Sequence, residues 1–449
     1  MRLFIWILIL VALAAPPGAQ AETASPAERS FPADETVLPL PALLDLPTAW
    51  ILAEEGSPRL RQARSRVSEA GYRKDEAFVP AWPNLQLSAG YTHIHPEIEA
   101  ALGPRPVTIV AADNYLVSLA IQQNLATFGR LKWGTEAAEL SRRAAESDLR
   151  AARARVREET EALYREALST REGVRVAEEA LKAARGQLLD SENLVEQGVA
   201  APFDVIRSRS QVLQAEQDLL ESQKLRDSAN LRLAVHLGLP TEPALELAEA
   251  PAPPPPPDCL GDAVDVALKA RPELEALRYS AEAALARVRF SGAQDNPLLR
   301  LNSEYLRRNE VAFTRDYQWS AGVQLLVPLF DGGLTASRVG QAEEATIQAQ
   351  ARLEELEREV RVEVERTWLE LRTTLNQVQV ARQKLVELEE ARRLANLRYQ
   401  SGVSTNVERL EAEAAWTQAR FGLVRSELAY ALAWARWVRV TARGEGGQS

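Results

Sequence analysis

The stretch YQWSAGVQLLV, residues 317–327, alternates apolar and polar side chains, the period of a half-buried strand. The joint PLFDGG follows, and from Leu334 to beyond Arg398 there is no proline. A strand therefore feeds almost directly into a helix of roughly 70 residues, which at about 1.5 Å per residue rises on the order of 100 Å. No globular domain is that wide, so other helices must cover this one along its length. Its heptads agree. Val364, Leu371, Val378 and Leu385 recur every seven residues, as do Ala167, Val174, Leu181, Leu188 and Val195 earlier in the chain. Beside the earlier row runs a mostly small one, Leu163, Thr170, Ala177, Ala184 and Ser191. Such spacing predicts left-handed coiled-coil packing with close backbone approach.

The chain is written twice. EQGVAAPFDV around Gly198 matches QSGVSTNVER around Gly402, an offset of 402 − 198 = 204, which also pairs Tyr164 with Trp368, Gly129 with Gly333 and Tyr115 with Trp319. Earlier elements keep an offset of 272 − 58 = 214, pairing Pro58 with Pro272, Pro83 with Pro297 and Tyr91 with Tyr305. The difference is an insertion in the first copy between Tyr91 and Tyr115, read as a loop. Both copies run helix, strand, loop, strand, very long helix, tight turn, shorter helix. The helices are expected at 47–80, 127–197 and 203–237, then at 261–291, 334–401 and 405–441. Strands are expected at 84–91, 115–125, 298–305 and 317–327. The organisation is a signal at 1–21, a linker at 22–46, a first repeat at 47–248, a proline-rich linker at 249–260, a second repeat at 261–441 and a tail at 442–449.

Strands of eight to eleven residues suit a tilted membrane-spanning β-segment. Aromatic Tyr91, Tyr115, Tyr305, Tyr317 and Trp319 fall near the loop ends of their strands, as in an interfacial girdle. Four strands cannot close, and open edges are not tolerated in lipid. Eight strands, from two chains, would leave an interior filled by side chains. Three chains give twelve and a water-filled lumen lined by Arg300, Glu304, Gln318 and Gln324. The expected fold is mainly α with a membrane β-barrel: a trimeric twelve-stranded barrel continuous with a long coiled-coil cylinder of helices. Pro328, Asp331, Gly332 and Gly333 mark the joint. Proline ends the ladder, the glycines free the turn, and Asp331 caps the helix.

MRLFIWILILVALAA followed by PPGAQA reads as a secretory signal with a cut after Ala21. With the only cysteine at Cys259, no disulfide forms within the chain. A net charge of −10 argues against a nucleic-acid partner. No catalytic constellation is present, and no glycine-rich phosphate loop, so energy must come from a partner. His93 and His95 form an H-x-H at a strand end, and two ligands do not make a metal site. His236 has no partner in sequence. No cofactor and no metal are expected.

The duplication, the PLFDGG joint and the paired turns GVAAPFDVIRSR and GVSTNVERLEAE resemble the TolC-like outer-membrane efflux protein family. The likeness covers nearly all of the mature chain. It implies a passive homotrimeric exit duct in outer-membrane lipid with a periplasmic helical extension. Such a duct serves a periplasmic adaptor and an inner-membrane pump, in efflux or type I secretion, and carries small molecules, metals or proteins outwards. It also implies a periplasmic gate at the tip turns, marked by Gly198 and Gly402. The acidic residues expected to ring its pore fall here on Glu408 and Glu411, whose i, i+3 spacing puts both on one helix face. Asp204 and Tyr399 match members of the closing latch. The latch arginine is missing, since Ser404 takes its place, and Arg207 and Arg409 are the nearby replacements.

A trimeric coiled-coil structural or adhesive protein of the envelope would explain the heptads but not the paired strands. A periplasmic adaptor would carry one helical hairpin, not two copies. N-terminal sequencing of the protein from outer membranes is expected to begin at Glu22; a start at Met1 would show that the apolar segment is retained.

Overall fold

The computed structural model describes residues 43–100, 107–198, 200–240, 245–257, 259–309 and 315–442. The expected signal, most of the first linker and all but the first residue of the tail lie outside them.

Eight helices and six strands are described. Helices α1 (Leu46–Gly56) and α2 (Pro58–Phe78) precede β1 (Asn84–His93), β2 (Ile98–Ala100), β3 (Val107–Val110) and β4 (Asp113–Ala126). Then come α3 (Arg130–Glu196), α4 (Pro202–Leu237), α5 (Leu260–Ala270) and α6 (Pro272–Gly292). Strands β5 (Leu298–Arg308) and β6 (Tyr317–Leu326) lead into α7 (Leu334–Gln400) and α8 (Asn406–Val440). The long helices α3 and α7 have 67 residues each.

Two expectations need correction. The helices foreseen at 47–80 and 261–291 are each two helices, broken at Ser57 and Arg271. The residue before each proline is extended, with ψ of 118° at Ser57 and 124° at Arg271. Proline forces this, because its ring clashes with a preceding residue in the α region and it has no N–H to continue the ladder. Apolar periodicity runs across both breaks and hides them. Ser57 then caps α2, its Oγ accepting from the Leu60 N–H at 3.4 Å. The insertion in the first copy is not wholly loop: β2 and β3 pair antiparallel within it.

The long helices set the scaffold. In the half nearer the strands, α2 packs on α3, and α6 packs on both α3 and α7. In the other half α4 packs on α3, and α8 packs on both long helices. Each long helix is thus flanked by two shorter ones end to end. The heptad rows point inward: Ala167, Val174, Leu181, Ala177 and Ala184 are buried, as are Val364, Leu371 and Val378. Cores form where rows meet the shorter helices, around Leu60, Val156, Tyr164 and Leu233 in the first copy and Leu274, Val364, Leu371 and Trp437 in the second.

Proline-rich chain lies across the helices at mid-height. Prolines donate nothing, so its carbonyls need donors from the scaffold. Tyr164 supplies its hydroxyl to the carbonyls of Leu44 (2.9 Å) and Ala248 (2.7 Å). Its repeat mate Trp368 donates Nε1–H to the Pro257 carbonyl at 3.1 Å, and Tyr430 donates to Pro254 at 2.5 Å.

Strands β1, β4, β5 and β6 form one antiparallel sheet in that order, leaving β1 and β6 as edges. The register puts even-numbered residues on one face, pairing Ser88 with Ser118, Asn124 with Arg300 and Arg300 with Gln324. That face is largely polar. The odd-numbered face carries Leu85, Leu87, Val117, Val323 and Leu325, and all five are exposed.

Between α2 and α3 lies an ion cluster. The Glu139 carboxylate accepts from Arg142 (2.9 Å), Arg143 (3.2 Å) and Lys74 of α2 (3.2 Å). Chiefly through Arg142, its pKa is pulled from 4.5 to about 2. A depressed carboxyl pKa contributes stability that is present above the unfolded value and lost as pH falls through the folded one. Melting curves of Glu139→Gln are therefore expected to lie below wild type at neutral pH and to converge with it between pH 4.5 and about 2. A constant gap across that range would rule the cluster out as an acid-sensitive contributor.

Candidate functional site

At the end of the scaffold away from the sheet, two turns reverse the chain. Gly198 and Gly402 both have positive φ, +74° and +70°, where a Cβ would be strained. The N–H of Gly198 meets the Val195 carbonyl (3.0 Å) and that of Ala200 meets Leu194 (3.2 Å). At the second turn Gly402 meets Tyr399 and Val403 meets Arg398, both at 3.0 Å. Each is the paired hydrogen-bond closure of a helix that ends on glycine. Pro202 then opens α4, and Thr405 caps α8 by accepting from the Glu408 N–H at 3.4 Å.

The first turns of α8 lace the two hairpins together. Asn406, Arg409 and Glu413 share one face by i, i+3, i+7 spacing and are all buried. Asn406 donates to the Asp204 carbonyl (3.3 Å) and to Ser208 Oγ (3.2 Å), and Ser208 meets Ser191 at 2.9 Å. Arg409, only 3% exposed, donates to the Gln187 carbonyl (3.1 Å) and Ser191 Oγ (3.3 Å), and pairs with Asp190 at 3.5 Å. Its guanidinium lies 4.3 Å from the centroid of the Tyr399 ring. Burial pulls the Arg409 pKa below its ordinary value, against the charges of Tyr399, Asp190, Glu413 and Asp204. Glu413 in turn accepts from Gln187 (3.2 Å) and Arg392 (3.4 Å).

Of the two candidate replacements for the missing arginine, Arg409 is the one against Tyr399, whereas Arg207 is exposed and unpaired among the described residues. Asp204 joins through its backbone carbonyl. Glu408 and Glu411 lie on the side of α8 turned away from this lacing. The Glu408 carboxylate is held by Arg398 (2.6 Å) and Ser404 Oγ (2.5 Å), so Ser404 has a task of its own. Glu411 is exposed and has no partner among the described residues. Sequence reasoning missed Arg398, Asp190, Gln187 and the Asn406–Glu413 face. The helical spacing of that face was the available signal.

At the other end, Arg300, Glu304, Gln318 and Gln324 all fall on the even-numbered face of the sheet. Arg300 donates to Asn124 Oδ1 at 3.4 Å, and Asn302 reaches Gln324 at 3.4 Å. The five girdle aromatics share the odd-numbered face, with Tyr91 opposite Tyr115 and Tyr305 opposite Trp319. Past Pro328, Asp331 accepts from the N–H groups of Gly333 (2.9 Å) and Thr335 (2.6 Å). These bonds, led by Thr335, hold its carboxyl below the usual range. Gly332 and Gly333 turn with φ of +70° and +86°. Leu329 and Phe330 of the same joint are 92% and 91% exposed. In the first copy the joint is tied by Arg130, which donates to the carbonyls of Ala293 (3.0 Å), Gln294 (2.6 Å) and Asn296 (2.6 Å).

His93 closes β1 at the sheet end, where it shares Asp113 with Tyr91, and His236 lies in α4 away from both ends. His93 meets Asp113 at 2.8 Å, and His236 meets Thr160 at 2.9 Å, with burial lowering the His236 pKa. Among the described residues no group of His, Cys, Asp and Glu is arranged to hold a metal.

This fold and these two ends have relatives. A family profile described as outer membrane efflux protein matches residues 51–239 and 263–442, one segment per repeat. The chain belongs to that family; its place is the outer membrane and its work is efflux. The alkaline protease secretion protein AprF of Pseudomonas aeruginosa is 28% identical over 346 residues, covering 72% of this chain and 69% of its own. Protein CyaE of Bordetella pertussis is 24% identical over 414 residues, covering 91% and 85%. Among solved structures, the outer membrane protein VceC of Vibrio cholerae superposes with a TM-score of 0.72 at 20% identity, over 88% of this chain and 95% of that one.

Arg409→Ala is expected to lower stability by about 1–3 kcal/mol, because it removes a buried donor shared by two hairpins. Thermal melting and limited proteolysis at the tip check this, with Arg207→Ala as the neutral comparison. Equal melting of both variants would show that the lacing does not depend on Arg409.

Proposed function

We propose that three copies of this chain close a single duct, with a twelve-stranded barrel in the outer membrane and a periplasmic cylinder of helices below it. The observation that carries the reading is the sheet. It has four strands, two unpaired edges, one largely polar face and one exposed apolar face. In lipid every backbone group needs a partner within protein, so each edge must pair with a neighbouring chain. The apolar face then meets lipid, its aromatics sitting at the interface. The polar face, with Arg300, Glu304, Gln318 and Gln324, lines water. Leu329 and Phe330, left bare in one chain, pack against the next.

The duct is passive and does no covalent chemistry. A periplasmic adaptor and an inner-membrane pump supply the energy and the cargo. Small molecules, metals and secreted proteins are the cargo classes, and the protease-secretion relative supports including proteins. The tip is the gate. Asn406, Arg409 and Tyr399 hold α7–α8 against α3–α4, and opening means breaking this lacing. Buried polar atoms without partners among the described residues (Tyr399 Oη, Asn406 Oδ1 and Arg409 Nε) keep that lacing short of full strength. Glu411 supplies the acidic ring at the pore, while Arg398 screens Glu408.

Purified protein in a planar bilayer is expected to give small single-channel conductance, rising at least severalfold in Asn406→Ala/Arg409→Ala. Glu411→Gln should weaken block by multivalent cations, and Glu408→Gln should do so less. A pure preparation without conductance in any variant would overturn the duct reading.

A further inference from the structure

Below the sheet lies a cleft of about 1080 Å³ that the gate and the barrel do not explain. It takes residues from α2, α3, α6 and α7 at once. Asn124 and Leu298, both on the even-numbered sheet face, also border it. The cleft therefore opens on the side of the polar strand face. On the duct reading, on which this inference rests for its direction, that side is the lumen.

Its charge runs against the rest of the molecule. The chain carries −10 overall, yet the cleft is lined by Arg66, Arg73, Arg130, Arg287 and Arg338 against the single acid Glu69. Two of the five arginines are committed elsewhere. Glu69 pairs with Arg73 at 2.6 Å, and Arg130 is spent on three backbone carbonyls. The other three are exposed. Arg287 has only the neutral Ser141 hydroxyl, at 3.3 Å. Arg66 and Arg338 have no hydrogen bond or ion pair among the described residues, and Arg66 acts on Asp148 only through space. Arg61, Arg352, Arg361 and Arg366 on these helices are unmatched too among the described residues, but none of them borders the cleft; Arg66, Arg287 and Arg338 bring three unmatched guanidinium groups from three different helices to one concavity. Guanidinium groups recognise phosphate and carboxylate oxygens through paired, charge-assisted bonds. A concave wall of one sign also concentrates the opposite ion.

We propose that this cleft is an anion-binding vestibule in the upper shaft, where Arg66, Arg287 and Arg338 hold soluble anions bearing phosphate or carboxylate oxygens on their way to the barrel. Three copies around one axis give the vestibule nine such groups. Cargo carrying these oxygens is retained between gate and barrel, and the acidic gate and basic vestibule sort ions in series.

The test is calorimetric binding of inorganic pyrophosphate to the purified full chain in detergent, with bilayer conductance measured in parallel. Wild type should bind, and Arg66→Gln/Arg287→Gln/Arg338→Gln should bind at least about tenfold more weakly at unchanged oligomer size. Arg338→Gln alone, an exposed and unpaired position, should weaken binding severalfold without disturbing the fold. Pyrophosphate should also block the wild-type current and lose that block in the triple variant. Absence of wild-type binding, or equal binding by wild type and triple variant, overturns the proposal. A lipid headgroup carries the same oxygens. Competition by added phosphatidylglycerol would place the site on the lipid side and overturn it as well. Binding without any conductance would support the anion site and count against the duct alone.

Discussion

Everything in this molecule follows from a sheet that cannot be finished by one chain. Four antiparallel strands end in two rows of unpaired backbone groups, at β1 and β6. In water such edges invite aggregation, and in lipid they are excluded. The exposed apolar face makes water the wrong solvent, and the open edges make lipid impossible for a lone chain. On the proposed reading, closure by identical neighbours resolves both. Closure fixes the rest. Chains sharing a barrel carry their helices down around a common axis, which on this reading makes a hollow cylinder rather than a solid bundle.

Duplication makes this economical. One repeat supplies a strand pair, a long helix and two half-length flanking helices; the second supplies the same again. Repeat mates keep similar work, as with Tyr164 and Trp368, which both satisfy linker carbonyls. Where the copies diverge, function separates. The first joint is locked by Arg130 to three carbonyls across the repeat boundary, whereas the second is capped by Asp331 and leaves Leu329 and Phe330 exposed. At the tip the second copy carries Asn406, Arg409 and Glu413, and the first offers the surface they grip.

Much of the fold was legible because its signals are long. Period-two alternation in 317–327 and proline-free heptads from Leu334 mark elements whose observed ends, Tyr317–Leu326 and Leu334–Gln400, lie close to those expected. Short signals failed. Pro58 and Pro272 sit inside continuous apolar patterns, so the breaks before them leave no mark in the periodicity. The β2–β3 hairpin is too brief to show a period. At the tip, the spacing of Glu408 and Glu411 told which face they share but not which way it points. That depends on how α8 packs, which also gives Glu408 to Arg398. The contact of Arg409 with Tyr399 is likewise a tertiary fact. An arginine five residues along the chain returns to Tyr399 only because one helical turn brings it there.

Inter-chain pairing of the sheet edges is the claim on which all this stands, and disulfide trapping tests it directly. With Cys259 replaced by serine, cysteines introduced along β1 and β6 have no native thiol to confuse them. Oxidation in intact outer membranes is expected to yield a ladder ending at three covalently joined chains, from at least one register of β1 against β6. A product that stops at the single chain in every register, or a ladder that ends at two, would contradict the account.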